Sequence, residues 1–222
     1  MHDTIRRLHG GGRGTGTTLE GFRLNEMVSQ IAFAGRRNRV YRRIVALSGV
    51  GPGDSALDVG SSSGYLARRL AAVTGPAGHV TGVDPSQAAI AYAQRHARPA
   101  MTFTVGVAQS LDLPDSSFDV VTCTLAMHHI PARKRAAAVG EMYRVTRPGG
   151  RLLIADFDSS RPPLPLHPGG RRMRRASAAV GPLEEQAVAA GYEVESCGRL
   201  PLLRYIQAIR PADRPLPKSR SG

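Results

Sequence analysis

The sequence predicts an α/β fold in which a parallel sheet is covered by helices on both faces. Between residues 55 and 157, short apolar segments with strand character alternate with helical segments, which is the pattern of repeated βαβ units. The strand segments are continuous apolar runs, and Phe118–Leu125 is the clearest of them. Strands buried on both faces have this composition, so the sheet is expected to form the middle of three layers.

The predicted elements follow one another with turn residues between them. Gly51-Pro52-Gly53-Asp54 and Arg147-Pro148-Gly149-Gly150 have the Pro and Gly content of turns, and Asp158–Gly170 is expected to be a loop. Strands are expected at Ser55–Gly60, His79–Val83, Met101–Val105, Phe118–Leu125, Arg151–Phe157, Tyr192–Cys197 and Leu203–Ile209. Helices are expected at Tyr65–Val73, Ser86–Arg98, Arg133–Val145 and Leu183–Ala190.

The length of 222 residues fits one domain. We expect this domain at residues 21–210, with a flexible arm at 1–20 and a polar, Pro-rich tail at 211–222. Residues 21–50 are predicted to form a helical lid, because apolar residues recur there at helical spacing in two segments: Leu24, Met27, Val28 and Ile31, then Tyr41, Ile44 and Leu47. Five arginines of the second segment are expected on a solvated face: Arg36, Arg37, Arg39, Arg42 and Arg43.

The charge distribution bears on the class of partner. The chain carries 30 Lys and Arg against 17 Asp and Glu, a net charge of +13, and the excess is concentrated in residues 1–50 and 161–222. Basic ends suit nucleic acid or an anionic membrane surface. Only 5% of residues are aromatic and none is Trp, which leaves few platforms for stacking bases. We therefore expect a small-molecule partner and not nucleic acid, with peripheral contact to an anionic membrane as an open alternative.

Apolar runs and cysteines bear on location. No run approaches the roughly 18 apolar residues of a membrane span, and Met1–Glu20 has no apolar signal core. The two cysteines, Cys123 and Cys197, are expected to be a reduced, buried pair in a cytoplasmic protein. Neither they nor the seven histidines have metal-ligand spacing, so no metal site is predicted.

A loop of small residues follows the first predicted strand. The chain there reads Leu57-Asp58-Val59-Gly60-Ser61-Ser62-Ser63-Gly64-Tyr65, and small residues let the backbone approach a ligand closely. The next helix offers free N–H groups at its N-terminus. Ligands of open parallel sheets bind outside the carboxyl ends of the strands, where the strand order reverses. The loop is therefore the first part of a predicted ligand site.

An acidic residue at the end of the second predicted strand is the second part. Asp84 lies 24 residues after Gly60, and its carboxylate can accept hydrogen bonds from both hydroxyls of a ribose. A dinucleotide fingerprint would require glycine where Tyr65 stands, and the Gly-Lys-Ser/Thr phosphate loop is missing. An adenosine-type ligand with an ammonium group and no phosphates fits the loop and Asp58.

These residues resemble the class I S-adenosylmethionine-dependent methyltransferases, especially the small-molecule branch typified by quinone-biosynthesis C-methyltransferases. Five stretches between residues 40 and 211 carry the resemblance: Leu57–Gly64, Val83–Ser86, Gly106–Leu111, Phe118–Val121 and Arg147–Leu152. Met127-His128-His129-Ile130 is also similar to the small-molecule branch. The resemblance implies a Rossmann-like, doubly wound sheet of seven strands, mostly parallel, whose last strand, Leu203–Ile209, enters antiparallel.

The resemblance implies S-adenosyl-L-methionine as the cofactor and assigns residues to it. Five successive residues would cradle the methionine part with their backbone: Gly60, Ser61, Ser62, Ser63 and Gly64. Asp58 would lie near its amino group, and Asp84, followed by Pro85, would hold the ribose hydroxyls. Val107 and Ala108 would border the adenine.

Thr124 would lie beside the sulfonium end of the cofactor. Two positions depart from the family pattern: Ser62 replaces the middle glycine of the loop, and Val107 replaces an acidic residue that bonds the adenine amino group. The loss of that hydrogen bond is expected to weaken binding by about 0.5–1.5 kcal/mol.

His128 and His129 are the candidate catalytic residues, because they follow the fourth strand at the rim where an acceptor would meet the methyl group. Methyl transfer requires alignment and, for a hydroxyl or carbon acid, removal of a proton. Imidazole can take that proton near neutral pH. The alternative is that one ring packs while the other faces water or caps the helix near Pro131.

The sequence thus predicts a methyltransferase that moves a methyl group to an oxygen or carbon of a small, hydrophobic or aromatic molecule. Two alternatives stay open. One is an RNA-binding protein or RNA methyltransferase that uses the basic ends, and the other is a non-catalytic S-adenosylmethionine-binding protein.

Overall fold

A seven-stranded sheet forms the centre of the protein. The computed structural model describes residues 36–158 and 183–212, so the predicted arm, the first lid segment, the loop beyond Asp158 and the tail beyond 212 lie outside the described residues. The strands are β1 (Ser55–Val59), β2 (His79–Asp84), β3 (Met101–Val105), β4 (Phe118–Thr124), β5 (Thr146–Phe157), β6 (Glu193–Leu200) and β7 (Leu203–Ile209). The helices are α1 (Arg37–Ser48), α2 (Tyr65–Thr74), α3 (Gln87–Arg95), α4 (Ala132–Val145) and α5 (Leu183–Ala189).

The strand order is β3-β2-β1-β4-β5-β7-β6. β1 pairs in parallel with both β2 and β4, and the parallel ladders continue outward to β3 and β5. β7 runs antiparallel to both β5 and β6. The predicted fold, a mostly parallel sheet of seven strands with an antiparallel last strand, is confirmed.

Helices pack on both faces of the sheet through two apolar clusters. In one cluster, buried residues of α1, α2 and α3, such as Ile44, Leu70 and Ile90, pack on the strands. In the other, residues of α4 and α5, such as Met142 and Leu183, cover the opposite face. Burial of these apolar side chains is the main term that stabilises the three layers.

One predicted turn is part of a strand. β5 begins at Thr146, so Arg147–Gly150 belongs to it. Gly149 has a φ of +79°, which glycine adopts without strain. Its N–H donates to the carbonyl of Arg210, and the Arg210 N–H donates to the carbonyl of Gly150, both at 2.8 Å. Pairing with the chain after β7 therefore keeps this bent segment in the sheet.

Three further details of the prediction are wrong. The sixth strand extends over Glu193–Leu200 instead of ending at Cys197, because it pairs with β7 as far as Leu200 opposite Leu203. Cys197 is exposed because it lies on the outer strand of the sheet, so only Cys123 is buried. Arg37 is also buried, and an aromatic ring of α2 covers it.

Leu153→Ala is expected to lower the free energy of unfolding by about 2–5 kcal/mol, since Leu153 is fully buried in the centre of β5 and the change leaves a cavity. Val188→Ala is the matched control, because Val188 is 60% exposed, and it should change the free energy by less than about 0.5 kcal/mol. Urea denaturation measures both variants. Equal effects would contradict the placement of β5 in the core.

Candidate functional site

A cavity of about 510 Å³ opens at the carboxyl ends of β1, β2 and β4. This is the point where the strand order reverses, since β2 and β4 flank β1, and its volume is in the range of small-molecule sites. Most of the residues singled out in the sequence line it: Asp58, Gly60, Ser61, Ser62, Ser63, Asp84, Pro85, Val107, Ala108, Thr124 and His129. Gly64 and His128 do not belong to the lining.

The loop after β1 is held against the end of β2. The N–H groups of Gly60 and Ser61 both donate to the carbonyl of Val83, at 2.7 and 3.0 Å. Gly60 has a φ of +76°, and a Cβ built on it would collide with the methyl group of Ala126. A larger residue at position 60 would therefore displace the chain that follows β4.

Gly64 acts at the base of the loop rather than in the cavity wall. It is the N-cap of α2, with a φ of +72°, and its N–H donates to the Ser61 carbonyl at 2.8 Å. A Cβ there would lie 2.7 Å from the ring of Phe103. The glycine is needed for the turn and for the close approach of β3.

Ser62 has an unusual backbone conformation. Its φ is +47°, a left-handed conformation that costs roughly 1–2 kcal/mol for a residue with a Cβ. Its N–H donates to Asp84 Oδ2 at 3.0 Å. The loop thus keeps at position 62 the backbone geometry that a glycine would adopt without strain.

Asp84 connects the loop to the start of α3. One carboxylate oxygen accepts the N–H of Ser62 and the other accepts the N–H of Ser86 at 2.8 Å. Burial raises the pKa of this carboxyl, and the two backbone hydrogen bonds lower it in part. A carboxylate has about four acceptor sites, so Asp84 can hold two ligand hydroxyls in addition to these N–H groups.

Asp58 is a buried carboxyl at the floor of the cavity, with 2% of its surface exposed. Burial raises its pKa from 3.8 to about 7, although the hydroxyl of Thr122 donates to it at 3.2 Å. The charge of Asp84 adds to the increase. A cation bound in the cavity would stabilise the ionised form of Asp58.

Two hydroxyls in the lining lack a hydrogen-bond partner. Ser61 Oγ and Thr124 Oγ1 are both buried, and no described residue bonds them. Unpaired buried hydroxyls are costly. Together with Asp58 and Asp84, they give this end of the cavity acceptors and donors for a polar ligand.

An arginine and two tyrosines form a wall of the cavity. The sequence predicts Tyr41 as part of the lid, but it indicates no role in the site for Arg37 or Tyr65. The guanidinium of Arg37 lies 3.8 Å above the ring of Tyr65 and 5.4 Å from that of Tyr41. The two rings meet edge to face at 4.8 Å. Arg37 and Tyr41 are four residues apart on α1 and so share a face, but nothing in the sequence indicates that this face meets Tyr65.

The two histidines lie on a short 3₁₀ turn, Met127–His129, and the structure separates them. His129 is exposed and lines the cavity. The side chain of His128 is 9% exposed and has its Nδ1 2.8 Å from Asp156 Oδ1. Of the two predicted catalytic residues, His129 can reach a ligand in the cavity, whereas His128 is engaged beside it.

Around His129, the lining of the cavity is mainly apolar. The residues next to it there are Leu125, Ala126, Ile130 and Pro131.

Within residues 36–158 and 183–212, no group of three or more His, Cys, Asp or Glu could hold a metal ion. No helix in these ranges is long and apolar enough to cross a membrane.

Sequence comparison identifies relatives over the central part of the chain. Residues 56–150 match a family described as a methyltransferase domain. The ubiquinone/menaquinone biosynthesis C-methyltransferase UbiE of Ectopseudomonas mendocina is 32% identical over 139 residues, which are 60% of this chain and 53% of the relative. The demethylmenaquinone methyltransferase of Symbiobacterium thermophilum is 33% identical over 142 residues, 62% of this chain and 55% of the relative. The chain spans about half the length of the curated relatives it matches.

Solved structures share the fold. A SAM-dependent methyltransferase from Aquifex aeolicus is similar with a TM-score of 0.69 at 16% identity, over 83% of this chain and 97% of the other. The [4+2]-cyclase SpnF is similar with a TM-score of 0.62 at 19% identity, over 78% and 80%. At these identities the similarity concerns the fold alone, and the two names show that the fold carries more than one chemistry.

Asp58→Asn is expected to remove a pH dependence of stability. The native pKa of Asp58 is about 7, against the ordinary value of 3.8 that applies in the unfolded chain. Between about pH 4 and pH 7 the native state keeps a proton that the unfolded state has lost, so stability falls as the pH rises through this range and is level above it. Between pH 5 and pH 8, the Tm of the wild type should fall relative to that of the variant by at least about 2–4 °C. Thermal unfolding followed by circular dichroism measures this, and parallel pH curves for both proteins would contradict it.

Ser62→Gly is expected to raise the free energy of unfolding by roughly 0.5–1 kcal/mol. Relief of the left-handed strain outweighs the greater entropy of glycine in the unfolded chain. Ser63→Gly is the control, because Ser63 is buried and lies outside the left-handed region, and it should lower stability by at least roughly 0.5 kcal/mol. Chemical denaturation compares them, and destabilisation by both changes would be inconsistent with strain at Ser62.

Proposed function

The chain contains a class I S-adenosylmethionine-dependent methyltransferase domain, and we propose that it methylates an oxygen or carbon atom of a small, hydrophobic or aromatic molecule. The observation that carries the proposal is the division of one cavity into a polar end and an apolar end. The polar end holds Asp58, Asp84 and the unpaired hydroxyl of Ser61. At the apolar end, the imidazole of His129 lines the cavity beside the aliphatic side chains of Leu125 and Ile130.

The polar end fits S-adenosylmethionine. Two buried hydroxyls without partners, Ser61 Oγ and Thr124 Oγ1, and the buried carboxyl of Asp58 all gain from a polar, cationic ligand. Asp58 and the loop backbone would hold the methionine part, and Asp84 the ribose. Val107 and Ala108 would border the adenine, and Val107, which is 37% exposed, offers apolar surface to it.

The chemistry is divided between the cofactor and the chain. When bound, S-adenosylmethionine supplies an electrophilic methyl group on a sulfonium. The chain aligns the acceptor against the apolar lining, keeps water from it and removes a proton where the acceptor has a hydroxyl or acidic carbon. We assign the role of general base to His129, whose imidazole nitrogen accepts that proton.

Two observations support the proposed acceptor class: the aromatic wall of the cavity formed by Tyr41 and Tyr65, and the names of the relatives. The two curated relatives are named for C-methylation in ubiquinone/menaquinone biosynthesis and for methylation of demethylmenaquinone, and a flat aromatic acceptor of that kind suits the apolar end. Tyr41 and Tyr65, with Arg37 stacked on them, add aromatic surface to which such an acceptor could pack. We propose that α1 is part of a lid over this end.

Asp84→Ala is expected to lower the affinity for S-adenosylhomocysteine at least about tenfold, because two charge-assisted hydrogen bonds to the ribose are lost. Isothermal titration calorimetry of the wild type and the variant measures this. Asp112→Ala is the matched control: Asp112 is exposed and does not line the cavity, so its affinity should equal that of the wild type.

Methyl transfer is then measured with phenols, quinols and fatty acids as acceptors, by release of S-adenosylhomocysteine. Cofactor binding without transfer to any acceptor would favour a non-catalytic binding protein. RNA that binds tightly at physiological salt and is methylated would favour the RNA alternative. Failure of the wild type to bind S-adenosylhomocysteine would overturn the proposal.

A further inference from the structure

The turn that carries His129 is held by hydrogen bonds to two buried charged residues, one on β5 and one on α4. We define the histidine turn as residues 126–130, between β4 and α4. Ala126, His129 and Ile130 of this turn line the cavity. The role of His129 rests on the proposed function, whereas the hydrogen bonds that hold the histidine turn do not depend on it.

Asp156 fastens the turn from the sheet. It lies near the end of β5 and is fully buried, with 0% of its surface exposed. Its carboxylate accepts three hydrogen bonds: from the N–H of His128 at 3.1 Å, from Nδ1 of His128 at 2.8 Å and from the N–H of Phe157 at 2.7 Å. Two of the three come from one residue of the histidine turn, its backbone and its ring together.

Arg135 fastens the turn from the helix. Its side chain is buried, and its Nε donates to the carbonyls of Met127 and Ile130, at 3.2 and 3.0 Å. A backbone N–H of the turn therefore donates to the Asp156 anion, and two of its backbone carbonyls accept from the Arg135 cation. Both contacts are charge-assisted, and such hydrogen bonds are stronger than those between neutral groups.

The ring of His128 contacts both Asp156 and the ring of His129, which lines the cavity. It lies 4.0 Å from the ring of His129 and 4.9 Å from that of Phe157. Since its Nδ1 is bound to Asp156 and its ring contacts two other aromatic rings, His128 is a fixed support for His129. A fully buried carboxylate is costly unless it is hydrogen-bonded, and two of the three hydrogen bonds to Asp156 come from this turn.

We propose that Asp156 is a positioning residue for methyl transfer: by holding the ring and the backbone N–H of His128, it fixes the histidine turn so that His129 faces the acceptor. In this arrangement His129 is the catalytic residue and His128 is a second positioning residue. The predicted role of His128 as a base is thereby replaced by a structural role at the same turn.

Hydrogen exchange followed by mass spectrometry tests the fastening without any acceptor. Asp156→Ala and His128→Ala should each speed amide exchange in residues 126–130 at least about tenfold, while residues 57–64 of the cofactor end stay unchanged. His128→Asn is the conservative variant, because its side-chain amide can donate to Asp156 in place of Nδ1. It should keep exchange within about twofold of the wild type.

Kinetics test the consequence for catalysis. His128→Ala and Asp156→Ala should lower kcat at least about tenfold and leave the affinity for S-adenosylhomocysteine within about twofold. His128→Asn should have the kcat and the pH profile of the wild type. His129→Asn should abolish the increase of kcat with pH that the deprotonation of a general base produces. If Asp156→Ala does not fold, the comparison of His128→Ala with His128→Asn decides the matter.

Two results would overturn the proposal. One is unchanged exchange in residues 126–130 in a folded Asp156→Ala or His128→Ala variant. The other is a His128→Asn variant as inactive as His129→Asn, which would make His128 itself the base. A wild type that transfers no methyl group to any acceptor would refute the proposed function instead, and the exchange experiment would still decide whether Asp156 holds the turn.

Discussion

The parallel pairing of β1 with both β2 and β4 is the constraint on which the site depends. Val59 is in register with Val83 on one side and with Cys123 on the other, so the three strands end at nearly the same level. Asp84 and Thr124, the last residues of β2 and β4, consequently meet Gly60, the residue after β1, at one edge of the sheet. The cavity lies at these strand ends, and the residues directly after the strands are close enough to line it.

This arrangement concentrates unfavourable groups in the cavity, where we propose that the cofactor binds. Asp58 is buried with a raised pKa, two hydroxyls are unpaired and Ser62 has a strained φ. Each of these costs stability in the ligand-free protein, and the apolar clusters on both faces of the sheet offset the cost. Groups that a bound ligand would satisfy are typical of functional sites. They also make the ligand a stabilising partner of the folded state.

The sequence predicts those parts of the protein that local pattern determines. The bounds of β3 and β7 agree with the prediction, and the loop, Asp84 and the histidines all stand at strand ends, where ligands of such sheets bind. Tertiary contacts decide the rest. Arg37 is buried because Tyr65, 28 residues away, covers it, and Arg147–Gly150 stays in the sheet because Arg210 pairs with it. Likewise, no local signal distinguishes His128 from His129, since their separation depends on Asp156.

The two ends of the cavity are built from different parts of the fold, and this difference bears on specificity. The polar end consists of strand ends and the loop between β1 and α2, whose geometry the sheet fixes. The apolar end consists of the histidine turn and of Arg37 and Tyr41 on α1, which pack on the sheet from outside. If the acceptor binds at the apolar end as proposed, substitutions in the second group can change its identity without disturbing the strand ends. The fastening of the histidine turn by Asp156 and Arg135 then keeps the proposed base in place while the surrounding apolar surface varies.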